Sequence, residues 1–259
     1  MTAPQYILIE HLPSTNTYVK QHIGELPCGA VVYTPDQTAG RGWGTNKWES
    51  EPGRNLAFTL VFKPQHLLPS RQWAVSVCAA SGIIKGIGEA TGCNDLSIKW
   101  PNDIYHGDRK LCGILIEHGI TAGQLDYCAI GIGINVNQTK FISDAPNPVS
   151  LAMILDREVD PHDLLDKVCN AVLSNLCLVD VDDDDRMNLA VRSLDACFKQ
   201  HLYRPIGTTH RWENAAGLRF DAEVVDITGN GELVLRDSDG HETTYAFKRV
   251  KHVINGNNL

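Results

Sequence analysis

Apolar residues along the chain follow two different periods. Tyr6–Ile9, Ala30–Tyr33 and Leu56–Phe62 are short apolar runs of strand length, and Leu96–Trp100, Lys110–Glu117 and Leu125–Val136 continue that texture. Between them, from Arg71 to Glu89, Trp73, Val77, Ala80, Ile84 and Ile87 recur every three or four positions, which predicts a helix with a broad buried face. Ser14-Thr15-Asn16-Thr17 offers several N-caps for a shorter helix through about His22. Asp160 followed by Pro161 starts another, with Leu164, Leu165, Val168 and Val172 on its apolar side. His106-Gly107-Asp108 predicts the turn of a hairpin joining Asp103–Tyr105 to Lys110–Glu117. This mixture of hairpins and helices predicts an α+β layer rather than a doubly wound parallel sheet.

The texture changes after about Phe198. Arg219–Asp226, Glu232–Arg236 and Thr243–Phe247 are short strand candidates, separated by the turn signals Thr228-Gly229-Asn230-Gly231 and Ser238-Asp239-Gly240. Short strands with tight turns predict a small β-barrel of roughly 50 residues. Trp212, Phe220 and Phe247 are its expected core. The chain therefore divides into residues 1–197 and residues 198–259. Asp182-Asp183-Asp184-Asp185 is a charge run of the kind found on a solvated face near a helix end.

With 259 residues and 43% hydrophobic content the chain has enough apolar surface for a packed core. A net charge of −8 argues against a general nucleic-acid binder. The N-terminus lacks the basic flank and apolar stretch of a signal peptide, and no run approaches the length of a membrane span. Cysteines 28, 78, 93, 112, 128, 169, 177 and 197 are spread singly, with no C-x-x-C pair and no zinc-like Cys/His spacing. They read as free thiols in a reducing cytoplasm.

Three polar stretches carry candidate chemistry. Thr38-Ala39-Gly40-Arg41-Gly42-Trp43-Gly44 combines three glycines with a cation and an indole. Lys99-Trp100-Pro101-Asn102-Asp103-Ile104 and Asp108-Arg109-Lys110-Leu111-Cys112-Gly113 each set a lysine beside an apolar run, where the charged form is kept most easily by an anion in the same site. Taken singly, each piece has a structural explanation. A G-x-G is a turn, Pro-Asn-Asp initiates a turn, Ser-Thr-Asn caps a helix, Trp48 is core, and Gly131-Ile132-Gly133-Ile134-Asn135 is a closely packed strand.

Read in order, S-T-N, Q-T-A-G-R-G, K-W-P-N-D-I, R-K-L-x-G-I-L-I-E and G-I-G-I-N-V-N resemble the biotin–protein ligase family, also called biotin–[acetyl-CoA-carboxylase] ligase. The motifs run from about Tyr6 to Asn137, with looser likeness through Ser150-Leu151 into the C-terminal barrel. The resemblance implies a catalytic biotin- and ATP-binding domain over 1–197, like class II aminoacyl-tRNA synthetases, with a mixed sheet and flanking helices. An SH3-like β-barrel over 198–259 follows. Only about a dozen residues precede Ser14, so the expected form is the one without an N-terminal DNA-binding domain, with no DNA or membrane partner. The implied activity is ATP- and Mg²⁺-dependent: biotin becomes biotinyl-5′-AMP, then passes to one lysine of a biotin carboxyl carrier protein domain. Relatives often dimerise through sheet edges, and a homodimer is expected on that ground.

Residue by residue, the resemblance makes Lys110 the main catalytic charge, with Lys99 and Arg41 as supporting cations. Ser14, Thr15, Asn16 and Gln37 match ring-reading positions for biotin. Gly40, Arg41, Gly42 and Trp43 form its covering loop, and Gly113 and Gly131 let the ligand approach the backbone. Trp48, Asn102 and Asn135 match the nucleotide side, and Asp103 the metal. In one respect the chain departs from the pattern. Trp43 and Asn46 stand where many relatives place arginines, so the loop is expected to cover the intermediate by area instead of charge. Two rival readings are a lipoate or octanoate transferase, whose paired-arginine glycine signature is missing here, and a binding protein that has lost transfer.

Overall fold

The computed structural model describes residues 3–44, 46–142 and 147–253. In chain order the first part contains β1 (Gln5–Leu8), β2 (His11–Leu12), α1 (Thr15–Gln21), β3 (Ala30–Thr34), β4 (Asp36–Gln37), β5 (Leu56–Phe62) and α2 (Trp73–Thr91). There follow β6 (Ser97–Lys99), β7 (Asp103–His106), β8 (Arg109–Thr121), β9 (Gln124–Ile134), α3 (Leu151–Leu155), α4 (Pro161–Val179) and α5 (Asp184–Gln200). The last part holds β10 (Thr209–Asn214), β11 (Arg219–Ile227), β12 (Leu233–Arg236), β13 (Glu242–Tyr245) and β14 (Val250–His252).

A seven-stranded mixed sheet in the order β1-β3-β5-β9-β8-β7-β6 forms the frame, and only the β1–β3 pairing within it is parallel. β5 is buried along its whole length because both faces of the sheet are covered. On one face Leu56, Phe58, Leu60 and Phe62 join the large core formed with α2 and α4. On the other, Val61 packs with Val19 of α1, Val32 and Ala129 in a smaller core. Helix α1 covers only part of that second face. The remainder, toward β7 and β6, is where a large cavity opens.

The helices begin where side chains can cap them. Ser14 accepts from the Thr17 amide, and Asp160 from the His162 amide with Pro161 at the first helical position. Asp183 caps α5, and Asp184 and Asp185 lie in its first turn, so the acidic run complements a helix dipole. α5, β10 and β14 have no counterpart among the expected elements. α5 carries only Met187 and Phe198 as buried residues, too few to raise a periodic signal. The expected boundary at 197/198 falls inside this helix, whose Phe198 meets Trp73 of α2 edge-on at 5.6 Å.

The C-terminal strands form a five-stranded antiparallel sheet in the order β13-β12-β11-β10-β14. Trp212 is buried there and donates its Nε1–H to the Ala222 carbonyl, while Phe220 stacks on Tyr245. Phe247 corrects the expectation: it lies beyond β13 and packs against Trp43 and Trp100, outside the sheet's own core.

Helices α2 and α4 approach closely because α2 presents glycines at the crossing. A Cβ on Gly86 would stand 2.5 Å from the Val168 Cα, and one on Gly82 2.7 Å from the Val172 Cα. An exposed helical glycine gains about 1 kcal/mol on change to alanine. Here Gly86→Ala is expected to lose about 1–3 kcal/mol by overpacking. Urea unfolding checks this: the midpoint should fall with the slope unchanged, and a rise would contradict the packing argument.

Candidate functional site

The site is written into the register of the sheet. Lys99 pairs with Asp103, Asp103 with Gly113, Gly113 with Gly133, and Gly133 with Ala57. Paired residues point to the same face, so one transverse row carries a lysine, an aspartate and then three small residues. The next row on that face holds Leu115, Gly131 and Thr59. The glycines leave a floor on which larger groups can lie. The Trp48 indole uses it: a Cβ on Gly113 would meet Trp48 Cζ3 at 3.1 Å, and one on Gly133 would meet Cε2 at 2.5 Å. A Cβ on Gly131 would collide with the Asn16 amide.

Lys110 reaches this face through a β-bulge. It is three residues before Gly113, and strict alternation would turn it to the opposite side. The register between β7 and β8 shifts between Ile104 and Tyr105, so Lys110 pairs with Tyr105, which shares the face of Asp103. Its Nζ then lies 2.7 Å from Asp103 Oδ1 and 5.7 Å from the centre of the Trp48 ring. Lys99 Nζ sits 5.2 Å over the Tyr105 ring. Burial pushes the Lys99 pKa below the ordinary lysine value. Asp103 opposes that, and Lys110, Lys248 and Arg204 add to it.

A cavity of about 1200 Å³ stands over this floor, between the main sheet and the C-terminal strands. Ser14, Thr15, Asn16, Gln37, Arg41, Gly42, Trp43, Trp48, Lys99, Asn102, Asp103, Lys110, Gly113 and Gly131 all line it. At its polar end the Gln37 Oε1 accepts from the Thr15 amide at 3.0 Å. Asn16 donates to the Leu115 carbonyl at 3.1 Å and to Glu117 at 3.0 Å. The Thr59 hydroxyl lies 2.6 Å from Asn16 Oδ1 and 2.8 Å from Thr15 Oγ1. At the opposite end are the lysines. The arrangement therefore offers uncharged donors and acceptors on one side, an aromatic plate in the middle and excess positive charge on the other.

Two expected residues stand elsewhere. Asn135 does not line the cavity: its amide donates to the Val149 carbonyl at 3.0 Å and fastens the segment after β9. Gly40 is buried behind the cavity wall, where a Cβ would meet the Trp48 carbonyl oxygen at 2.5 Å. Arg41 lines the cavity but not beside Lys110. Its guanidinium donates to Thr17 Oγ1 at 3.4 Å and lies 3.9 Å from Glu117. Asn102 lines the cavity while its amide donates to the Ile114 carbonyl at 2.6 Å, tying the turn to β8.

Residues 8–135 match the biotin/lipoate A/B protein ligase family. The bifunctional ligase/repressor BirA of Bacillus subtilis is 38% identical over 225 residues, which cover 85% of this chain and 65% of that protein. The biotin–[acetyl-CoA-carboxylase] ligase of Paracoccus denitrificans is 32% identical over 170 residues, 63% of this chain and 70% of that one. The chain belongs to the biotin/lipoate A/B protein ligase family. It spans less than two thirds of the bifunctional ligase/repressors it matches. The solved structure of a biotin protein ligase from Aquifex aeolicus in complex with biotin and ATP superposes with a TM-score of 0.76 at 20% identity, covering 96% of this chain and 99% of that one. That likeness shows the biotin protein ligase fold, a mixed sheet with helices followed by an antiparallel sheet.

Three residues of this family member escape the sequence reading. Thr59 is the single polar side chain in the buried run Leu56–Phe62, a signal present but unread. Glu117 lies on the same strand as Lys110 and gathers Lys20 at 2.7 Å, Asn16 and Arg41. Burial raises its pKa, but these partners outweigh that and hold it below the ordinary glutamate value. Lys248 follows β13 and reaches the site only through the tertiary fold.

Gly133→Ala should displace the Trp48 indole toward water. Its emission, taken as the difference from a Trp48→Phe background, is expected to shift to longer wavelength. An unshifted spectrum would mean that the indole does not rest on Gly133.

Proposed function

We propose that this protein is an ATP-dependent ligase that activates biotin as biotinyl-5′-AMP and transfers it to a specific lysine of a biotin carboxyl carrier protein domain. The observation carrying this reading is the bulge-positioned Lys110–Asp103 pair at 2.7 Å beside an aromatic plate laid on glycines. It rests also on membership of the family and on the P. denitrificans relative.

In the first step a carboxylate oxygen of biotin attacks the α-phosphorus of ATP, and the bond to the bridging oxygen breaks to release pyrophosphate. An anion thus approaches a polyanion, and charge grows on the phosphoryl oxygens. Lys110, held by Asp103, is the fixed cation for that charge, with Lys99 supporting it. The uncharged ureido ring suits Ser14, Thr15, Asn16 and Gln37, whose hydroxyls and amides both donate and accept. In this reading Trp48 stacks on adenine and Trp43 covers the ligand. In the second step the carrier lysine amine attacks the acyl carbon. The anhydride C–O bond breaks, AMP leaves and a proton is released.

Mg²⁺ is commonly bound through one or two carboxylates together with substrate phosphates. Asp103 fits that donor set: Oδ1 faces Lys110, and Oδ2 is the oxygen that would serve a phosphate-borne ion. The ion would screen the phosphates when bound. Residues 1–197 and 198–259 would correspond to the synthetase-like catalytic domain and the SH3-like barrel. The eight free cysteines suit a cytoplasmic setting, and no described helix is long and apolar enough to cross a membrane. A second copy would pair along a free sheet edge.

Incubation with biotin, MgATP and a purified carrier domain should add one biotinyl group to one lysine, read by mass spectrometry. Lys110→Gln should slow pyrophosphate release by about a hundredfold or more. Adenylate synthesis at the wild-type rate in that variant would remove Lys110 from the chemistry.

A further inference from the structure

Around Asp103 the charges do not balance. Lys110 occupies it at 2.7 Å, yet Lys99 stands beside it in the β6–β7 ladder and Lys248 lines the same cavity, and both feel its charge. Among the described residues neither Lys99 nor Lys248 has a carboxylate within ion-pair distance. Lys248 arrives from the C-terminal part of the chain. Its Nζ lies 4.5 Å over the Trp43 ring and 5.5 Å from the Phe247 ring, and Phe247 is itself set edge-on to Trp43 at 5.1 Å. Partial burial lowers the Lys248 pKa, and its neighbour Lys110 adds to that while Asp103 opposes it.

The backbone at this residue is also unusual. Lys248 has φ 63°, the left-handed region that glycine occupies at little cost, in a turn closed by the Arg249 amide and the Ala246 carbonyl. A lysine therefore stands where glycine would fold more easily. Strain of this kind, beside a cavity and with no counter-ion, points to a ligand. The covering loop contributes Trp43 and Asn46 to the lining at places with no positive charge.

We propose that Lys248 is a phosphate-binding residue, placed over the site by Trp43 and Phe247 and contacting phosphoryl oxygens of the bound nucleotide. It adds, from the turn between β13 and β14, a positive charge over Trp43 to those of Arg41 and Lys47 in the covering loop. The proposal rests on the ligase reading for the identity of the nucleotide, so binding is measured apart from turnover. MgATP affinity is taken by titration calorimetry, and pyrophosphate release with biotin is followed in parallel.

Lys248→Gly relieves the backbone and removes the ammonium. It should unfold at a temperature no lower than wild type, yet bind MgATP about tenfold more weakly, with biotin affinity within about twofold. Lys248→Arg, which keeps the charge, should stay within about threefold of wild type for MgATP. Lys85→Gln, on the exposed side of α2, controls for the loss of one positive charge. MgATP affinity equal in wild type and Lys248→Gly, or a loss confined to biotin, overturns the assignment. Wild-type MgATP binding without pyrophosphate release would instead remove the ligase reading, and the comparison of affinities would still decide Lys248.

Discussion

One extra residue in β8 sets the charge arrangement of the cavity. The bulge opposite Ile104 and Tyr105 turns Lys110 onto the cavity face of the sheet. Without it the lysine would point into the helix-covered core, where an unpaired ammonium costs several kcal/mol. With it, Lys110 meets Asp103 across the β7–β8 ladder at 2.7 Å. The pair is partly buried, and each charge has the other as its ion-pair partner. Removing the carboxylate would take from Lys110 its ion-pair partner, and removing the lysine would leave the carboxylate partly buried without its nearest cation. The geometry is set by main-chain hydrogen bonds of the sheet, which fixes where both charges stand.

The same sheet solves a second problem by omission. Gly113, Gly131 and Gly133 carry no side chains where the strands β8 and β9 cross the floor. Glycine weakens a strand interior, yet these strands are protected by neighbours on both sides and by α2 and α4 beneath. The cleared space admits Trp48 from the preceding loop and Asn16 from α1. Aromatic and amide groups are thus held against backbone without a pocket having to be carved from the core. The smaller core around Val19, Val32, Val61 and Ala129 fixes α1 beside this floor. That positions Thr15 and Asn16 against Thr59.

Much of the frame is legible in the sequence because local signals carry it. The His106-Gly107-Asp108 turn, the Ser14 and Asp160 caps and the three-to-four spacing of α2 each map onto the observed elements. Motif order brings fourteen of the residues expected at the site, Arg41 among them, into the lining of one cavity. The failures share a cause. Asn135 lies within a glycine-rich motif, but its amide is consumed by the Val149 carbonyl. Phe247 is apolar and near a strand, yet its partners are Trp43 and Trp100, remote in sequence. Lys248 has no local marker, since its significance comes from what lies opposite. Periodicity finds faces, whereas only tertiary contact shows what those faces meet.

The C-terminal strands belong to the site's electrostatics as well as to its walls. Asp108, in the turn that precedes Lys110, accepts from the Tyr203 hydroxyl, and Arg204 donates to Tyr203 at 2.9 Å. Arg204 also donates through Nε to His252 Nε2 at 2.9 Å, which requires that nitrogen to be unprotonated. Burial, with Arg204 adding to it, holds the His252 pKa down to about 3. The imidazole therefore stays a neutral acceptor near neutral pH, and the chain from β14 to the β7–β8 turn does not break as pH changes there. A hairpin whose tip is anchored to the second sheet cannot drift without moving Lys110. The two sheets thus hold one charge constellation between them, and neither would define it alone.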